Sequence, residues 1–369
     1  MRKIFMTSMV FIMMLLMLIC PKVCIEGASS GLLLWFQKVL PSLLPFIILI
    51  NLLCSLGIIF RCSRFLDPIT QRLFHLSGNG LIIFLLGLIS GYPMGAKLAK
   101  NLLEEGEMTY DEAQKSLCYS CNCGPLFIIG TVGTLMLQDT NIGYFLLLVH
   151  ISSAFIMLLL SRFYTLPQSP TPLLHTTRTS SLSFSTAFTS AVQNGMDTIV
   201  YVGGYIIFFS VISNLLAHSE LYTSLTQFIG NFFGVNPTLI HSFLLSSLEF
   251  SSGSARLTSL LPVNTTLLAL LSAVIAFGGF CVCFQSQHVL QGSNLSLKPY
   301  MYSKLLQSLL AYILTFILYP LWNPSLALGF TLKWYILLVM VLVFTAFLFK
   351  MLSSHKVPLK PASIRVSYT

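Results

Sequence analysis

Apolar runs of about 20 residues recur along this chain, at roughly 32 to 60, 80 to 98, 117 to 137, 142 to 164, 186 to 216, 239 to 261, 267 to 290, 303 to 322 and 331 to 350. An α-helix needs about that length to cross the roughly 30 Å hydrocarbon layer of a bilayer. Water is absent from that layer, so each backbone N–H and C=O must find its partner within the protein, and a chain of this pattern folds as helices. Only 8% of the 369 residues are charged, against roughly 25% in soluble domains. The sequence predicts an all-α polytopic membrane protein embedded in a lipid bilayer.

The formal net charge of +9 does not point to nucleic acid as a partner. The basic residues stand singly at the ends of apolar runs, where they orient a membrane protein. The N-terminal MRKIFMTSMVFIMMLLMLIC is basic and then apolar, without an A-x-A-like cleavage site, so residues 1–29 are expected to hold an uncleaved first span. PQSPTPLLHTTRTSSLSFS, residues 167–185, is rich in Pro, Ser and Thr and reads as a polar linker. It separates one half, 30–166, from a second, 186–325, leaving 326–369 for a last helix and a basic tail.

The halves align on each other. A shift of 159 residues places Ile47 on Ile206, Phe74 on Phe233 and Phe84-Leu85-Leu86 on Phe243-Leu244-Leu245. It also sets SGYPMG (90–95) against EFSSGS (249–254), each followed by a cation at the same step, Lys97 and Arg256. Cytoplasmic loops carry excess Lys and Arg. If 80–98 and 239–261 are re-entrant hairpins rather than crossings, then Arg61, Arg64, Arg72, Arg162, Arg178, Lys298, Lys304, Lys356 and Arg365 all fall on one face with both termini. The two halves then have inverted topology.

The interrupted runs are the candidate sites. Ser90-Gly91-Tyr92-Pro93-Met94-Gly95 joins two glycines, which permit unusual backbone angles, to a proline that cannot donate a hydrogen bond. Non-helical backbone at membrane depth survives only where it is buried in protein or lines a polar cavity. The partner break supplies Glu249, Ser251, Ser252, Gly253 and Ser254. An intramembrane carboxylate such as Glu249 is costly and expected to be functional, carrying a proton, binding a cation or pairing with Arg256 or Lys97. CNCGP (121–125) offers Asn122, Gly124 and Pro125, with Gln285 in the corresponding stretch of the second half. Lys97 and Arg256 could clamp the two ends of a dianion from opposite halves, or anchor their hairpins at the membrane surface.

Cys118, Cys121, Cys123, Cys281 and Cys283 lie in or beside apolar stretches and are expected to pack rather than hold a metal. The acidic stretch from Glu104 to Glu112 reads as a solvated connector. No G-x-S-x-G, H-E-x-x-H or phosphate-binding G-x-x-x-x-G-K-[ST] occurs, so neither an enzyme nor a cofactor is expected.

SGYPMGAKLA, CNCGPLFIIGTV, GYIIFFSVISNLL, LEFSSGSARL and FGGFCVCFQSQ resemble the YlbJ family of sporulation integral membrane proteins, within the nucleoside-recognition (Gate) group. The resemblance implies two inverted-topology Gate-type repeats with broken, re-entrant helices, related to concentrative nucleoside transporters. It implies an endospore-forming bacterium, the outer membrane around the forespore, and movement of dipicolinic acid from mother cell to forespore. The segments implied to line the transport site carry over onto Ser90, Gly91, Tyr92, Pro93, Gly95, Asn122, Gly124 and Pro125. Where the family pattern has two adjacent asparagines this chain has Asn122-Cys123, and the second asparagine's role does not transfer. The expected partners are a small organic anion, dipicolinate, and a coupling proton or sodium ion. A nucleoside-type permease or a sporulation scaffold are the competing functions, and a homo-oligomer is compatible with all three.

Overall fold

The computed structural model describes residues 2–163 and 183–322. Residues 167–182 of the expected linker and the expected C-terminal helix, with Lys350, Lys356 and Arg365, lie outside the described residues. The chain divides into Met1–Tyr319 and Pro320–Thr369. The first unit is described here; of the second, residues 320–322 end the last helix.

The described residues form helices and no strand. In order they are α1 (Arg2–Ile19), α2 (Pro21–Ser55, π-helical over Trp35–Val39), α3 (Ile58–Phe74), α4 (Gly78–Ser90), α5 (Met94–Glu104), α6 (Tyr110–Ser120), the π-helical α7 (Phe127–Met136) and α8 (Thr140–Leu160). After the linker come α9 (Phe184–Ala217), α10 (Glu220–Phe233), α11 (Pro237–Leu248), α12 (Phe250–Leu260), α13 (Thr265–Phe277), α14 (Gly279–Val289) and α15 (Leu297–Trp322). The order of lengths in α2 to α8 recurs in α9 to α15. A long helix of 35 or 34 residues is followed by one of 17 or 14, then two broken pairs, then a closing helix of 21 or 26.

Among the described residues five helical stretches are long and apolar enough to cross a membrane, Pro21–Ser55, Thr140–Phe163, Phe184–Ala217, Thr265–Val289 and Leu297–Trp322. The protein is a multi-pass integral membrane protein. Large apolar side chains such as Leu49, Phe155, Phe208 and Leu309 are exposed on the outer helices, as a lipid-facing surface requires. By contrast, the apolar window within Thr265–Val289 is 83% buried, so this stretch forms the interior. On α10 the exposed Leu221, Leu225, Phe228 and Phe232 form one apolar stripe, the pattern of a helix lying in the membrane interface.

Three expectations need correcting. The run 117–137 is not one crossing helix, because Cys121–Gly124 separate α6 from α7. The first long helix begins at Pro21 rather than near residue 32, so it runs through the boundary expected at residue 30. The connector after Glu104 is not merely solvated. Glu112 Oε1 accepts from Ser77 N at 2.6 Å and Asp67 Oδ1 from Gly78 N at 2.6 Å, so two carboxylates satisfy free amides at the start of α4. Side-chain caps start later helices too, Asp139 for α8, Asn236 with Pro237 for α11 and Asn264 for α13.

Helices α2 and α9 pack antiparallel along their length. Gly27 lies against Val211 and Asn214, Gly31 against Ile207 and Ser210, Trp35 Nε1 donates to Ile199 O at 3.0 Å, and Asn51 Nδ2 reaches Ala191 O at 3.4 Å. A Cβ on Gly31 would sit 2.8 Å from Ser210 Cβ and 3.0 Å from Ile207 Cα. Gly31→Leu is therefore expected to destabilise by about 1–3 kcal/mol through overpacking, while Gly204→Ala, with nothing within 4 Å, stays within about 0.5 kcal/mol or gains slightly. Melting temperatures of the two variants in detergent check this; equal values would contradict the close α2–α9 approach.

Candidate functional site

Four interruptions of helix converge on one region. The first is the turn Gly91-Tyr92-Pro93 between α4 and α5, where Gly91 has φ +83°. A Cβ there would lie 3.0 Å from both Gly124 N and Leu43 Cδ2, so this turn packs on the second interruption, Cys121–Gly124. The third is Glu249, between α11 and α12. The fourth is Gly278, φ +76°, between α13 and α14. In the second half, too, the two interruptions touch, since Gly279 approaches the carbonyls of Ser247 and Leu248.

The halves are joined through Tyr92. Its hydroxyl donates to the carbonyls of Ile275 and Ala276, each at 3.1 Å, where α13 ends and those groups lack helical partners. Its ring meets Phe250 edge-on at 5.9 Å, and Phe250 also packs on Phe127 at 5.2 Å. A narrow cavity of about 20 Å³, lined by Tyr92, Cys123, Gly124, Phe250, Ser251 and Gln285, lies at this junction. That is room for about one water. A larger cleft of about 220 Å³ adjoins it, lined by Pro93, Lys97, Asp197, Thr198, Tyr201 and His288, and Gln285 and Val202 border both. Lys97 Nζ donates to Thr198 Oγ1 at 2.8 Å and to Asn194 O at 3.3 Å. Tyr201 packs tilted against His288 with ring centroids 4.1 Å apart.

The expected site residues fall into three groups. Tyr92, Pro93, Gly124, Ser251 and Gln285 line one cavity or the other, with Lys97 in the cleft. Ser90, Gly95, Gly253 and Ser254 are buried beneath them and shape the breaks. Ser90 Oγ donates to Leu86 O at 2.6 Å and Ser254 Oγ to Phe250 O at 2.7 Å, while Gly95 lies against Ser120 and Gly253 against Ser246. Arg256 is the outlier. It is half-buried beside Tyr222 and His241 and lines neither cavity. The structure does not bring it together with Lys97.

Glu249 is fully buried, but it pairs with neither cation. Its Oε1 accepts from Ser251 N at 2.9 Å and its Oε2 from Ser252 N at 2.6 Å, so it caps α12. The positive end of that helix compensates the carboxylate. Ser252 and Gly253 complete this turn, and the hydroxyl of Ser251 remains without a partner.

Asn122 is held on both sides. Its Nδ2 donates to Tyr119 O at 2.7 Å, and its Oδ1 accepts from Gln307 Nε2 at 3.0 Å. The neighbouring Cys123 N donates to His150 Nε2 at 3.1 Å, and Pro125 follows at the start of the turn into α7. Gln307 Oε1 accepts from Lys304 Nζ at 2.7 Å. Lys304 is fully buried, which corrects its expected place among the surface cations. It begins an apolar run, and position alone placed it with the loop cations. The missed signal is a polar stripe, Tyr300, Lys304, Gln307, Thr315 and Tyr319, spaced so that all face inward on an otherwise apolar α15.

Glu249→Ala should free two amides and cost about 2 kcal/mol, whereas Glu249→Gln keeps one bond and loses about 1 kcal/mol. Thermal melting of the purified variants measures this, and an unchanged melting temperature for Glu249→Ala would remove the capping role.

Residues 36–193 match the nucleoside-recognition (Gate) family. The chain is 30% identical over 325 residues to the sporulation integral membrane protein YlbJ of Bacillus subtilis (strain 168), covering 82% of this chain and 79% of that protein. No solved structure matches it. The identity runs through both halves, well beyond the Gate match, and the chain belongs to the YlbJ family of sporulation integral membrane proteins.

Proposed function

We propose that this protein is a carrier, not an enzyme, and that it moves a small organic anion, dipicolinate, across the outer forespore membrane during sporulation. The observation that carries this reading is the meeting of interrupted helices from both halves, Tyr92 on Ile275, Ala276 and Phe250, at the foot of an open cleft. Broken helices meeting at mid-membrane are how secondary transporters build a substrate site. Two repeats of inverted topology, 30–166 and 186–325, suit the same reading. The recurrence of element lengths and the antiparallel contact of α2 with α9 support it, since a two-fold axis in the membrane plane would relate such helices.

The cleft favours an anion. Lys97 and Lys100 face it, against the single carboxylate of Asp197. The Gate match favours a second reading, a nucleoside-type permease on the same frame. In the first reading Lys97 meets the substrate during entry, while Arg256, outside both cavities, plays no part in recognition.

Deleting the gene is expected to empty spores of dipicolinate, with external dipicolinate restoring their content. In complemented strains Lys97→Gln should lower spore dipicolinate about tenfold, the loss of one charge-assisted contact, and Arg256→Gln should stay within about twofold. Normal dipicolinate in the deletion strain would end the carrier reading. Uridine uptake without dipicolinate uptake in proteoliposomes would transfer it to the permease.

A further inference from the structure

We infer that Lys304 is the carboxylate-binding group of a closed anion site at the centre of the protein, an inference that rests on the carrier reading and assigns its substrate chemistry. All eleven Asp and Glu residues of the chain lie within the described residues. None comes within 4.0 Å of Lys304, although Lys100 and Glu104 pair at 3.6 Å. Lys304 is 0% exposed. Buried ions in proteins are paired, and an intramembrane charge without an internal partner marks a ligand pathway.

The hydrogen bonds around Lys304 have a fixed direction. Asn122 Nδ2 must donate to the carbonyl of Tyr119, so Asn122 Oδ1 accepts from Gln307 Nε2 and Gln307 Oε1 accepts from Lys304. This series uses one of the three ammonium protons. The ring of Tyr92 lies 5.4 Å from Nζ and offers a π face but no carboxylate. The other neighbours, Cys118, Cys121, Cys123 and Cys283, are free thiols and weak acceptors.

Further donors wait beside it. Tyr300, one turn before Lys304, is fully buried and shares Cys121, Cys283 and Tyr92 as neighbours. Its hydroxyl faces Ser286, and neither oxygen has a partner in hydrogen-bond geometry. A pocket with one cation, two unsatisfied hydroxyls and few acceptors is complementary to a carboxylate. Ser286 follows Gln285, which borders both the cleft and the inner cavity, so entry from the Lys97 side passes the Gln285 side chain. The inner space of about 20 Å³ is too small for an aromatic dicarboxylate, so binding must part Tyr92 from Phe250.

The test uses the full-length protein in detergent with pyridine-2,6-dicarboxylate, pyridine-2-carboxylate, benzene-1,3-dicarboxylate and uridine as probes, read by equilibrium binding and thermal shift. Wild type is expected to bind at least one carboxylate. Lys304→Met should weaken that binding about ten- to hundredfold, with Lys304→Arg intermediate. Gln307→Glu gives Lys304 an internal counter-charge, and should raise the melting temperature while suppressing the response to carboxylate. It therefore stays informative if Lys304→Met folds poorly. Lys304-dependent binding of a carboxylate other than dipicolinate upholds the site and defeats only the dipicolinate reading. Binding of no carboxylate, of uridine alone, or of carboxylates at wild-type strength in both Lys304→Met and Gln307→Glu overturns the inference.

Discussion

The cost of an unpaired peptide group away from water governs this structure. A backbone amide or carbonyl left bare in hydrocarbon costs several kcal/mol, yet among the described residues four breaks of helix meet in the interior. At three of them a specific side chain meets the freed groups. Tyr92 donates to Ile275 and Ala276 at the end of α13, Glu249 accepts the first amides of α12, and His150 accepts from Cys123 between α6 and α7. Tyr92 reaches across from the other half and His150 comes from a neighbouring helix, while Glu249 caps its own, so the breaks and the tertiary fold stabilise each other.

That mutual dependence explains why the site residues are so unevenly polar. Glu249 and Asn122 hold backbone, and Gln307 links Asn122 to Lys304, so both ends of each of these side chains are engaged. Lys304, Tyr300 and Ser286 keep capacity in reserve. A transport site needs both kinds of group, rigid ones to keep the broken backbone satisfied and spare ones to replace a solute's hydration. A small inner cavity lies beside the larger open cleft, and on the proposed carrier reading the contact of Tyr92 with Phe250 is the one that parts.

Relatives at 30% identity conserve a frame more readily than a pocket, because packing tolerates exchange among apolar residues while recognition turns on single polar groups. Cys123, standing where a second asparagine is expected, shows the difference. Its backbone N–H is held by His150 whatever the side chain, so the break survives the change.

Much of this was legible in the sequence. Apolar length fixed the helical, multi-pass class, since hydrocarbon permits little else, and Gly-Tyr-Pro with Gly-Pro marked two of the breaks, since those residues disfavour continuous helix. The alignment of Lys97 with Arg256 was legible also, but proximity was not. Only the tertiary structure set Lys97 in the cleft and Arg256 beside Tyr222 and His241. The sequence left Glu249 open between a proton, a cation and pairing with Arg256 or Lys97, because its actual partners are backbone amides, which every residue carries and which no sequence pattern displays. Lys304 read as one of the loop cations on a single face because a linear sequence shows where an apolar run starts, while the face that a helix turns inward depends on what packs against it. The pairing of Lys304 with Gln307 and of Gln307 with Asn122 joins residues up to 185 positions apart. Contacts at that separation exist only once the chain has folded.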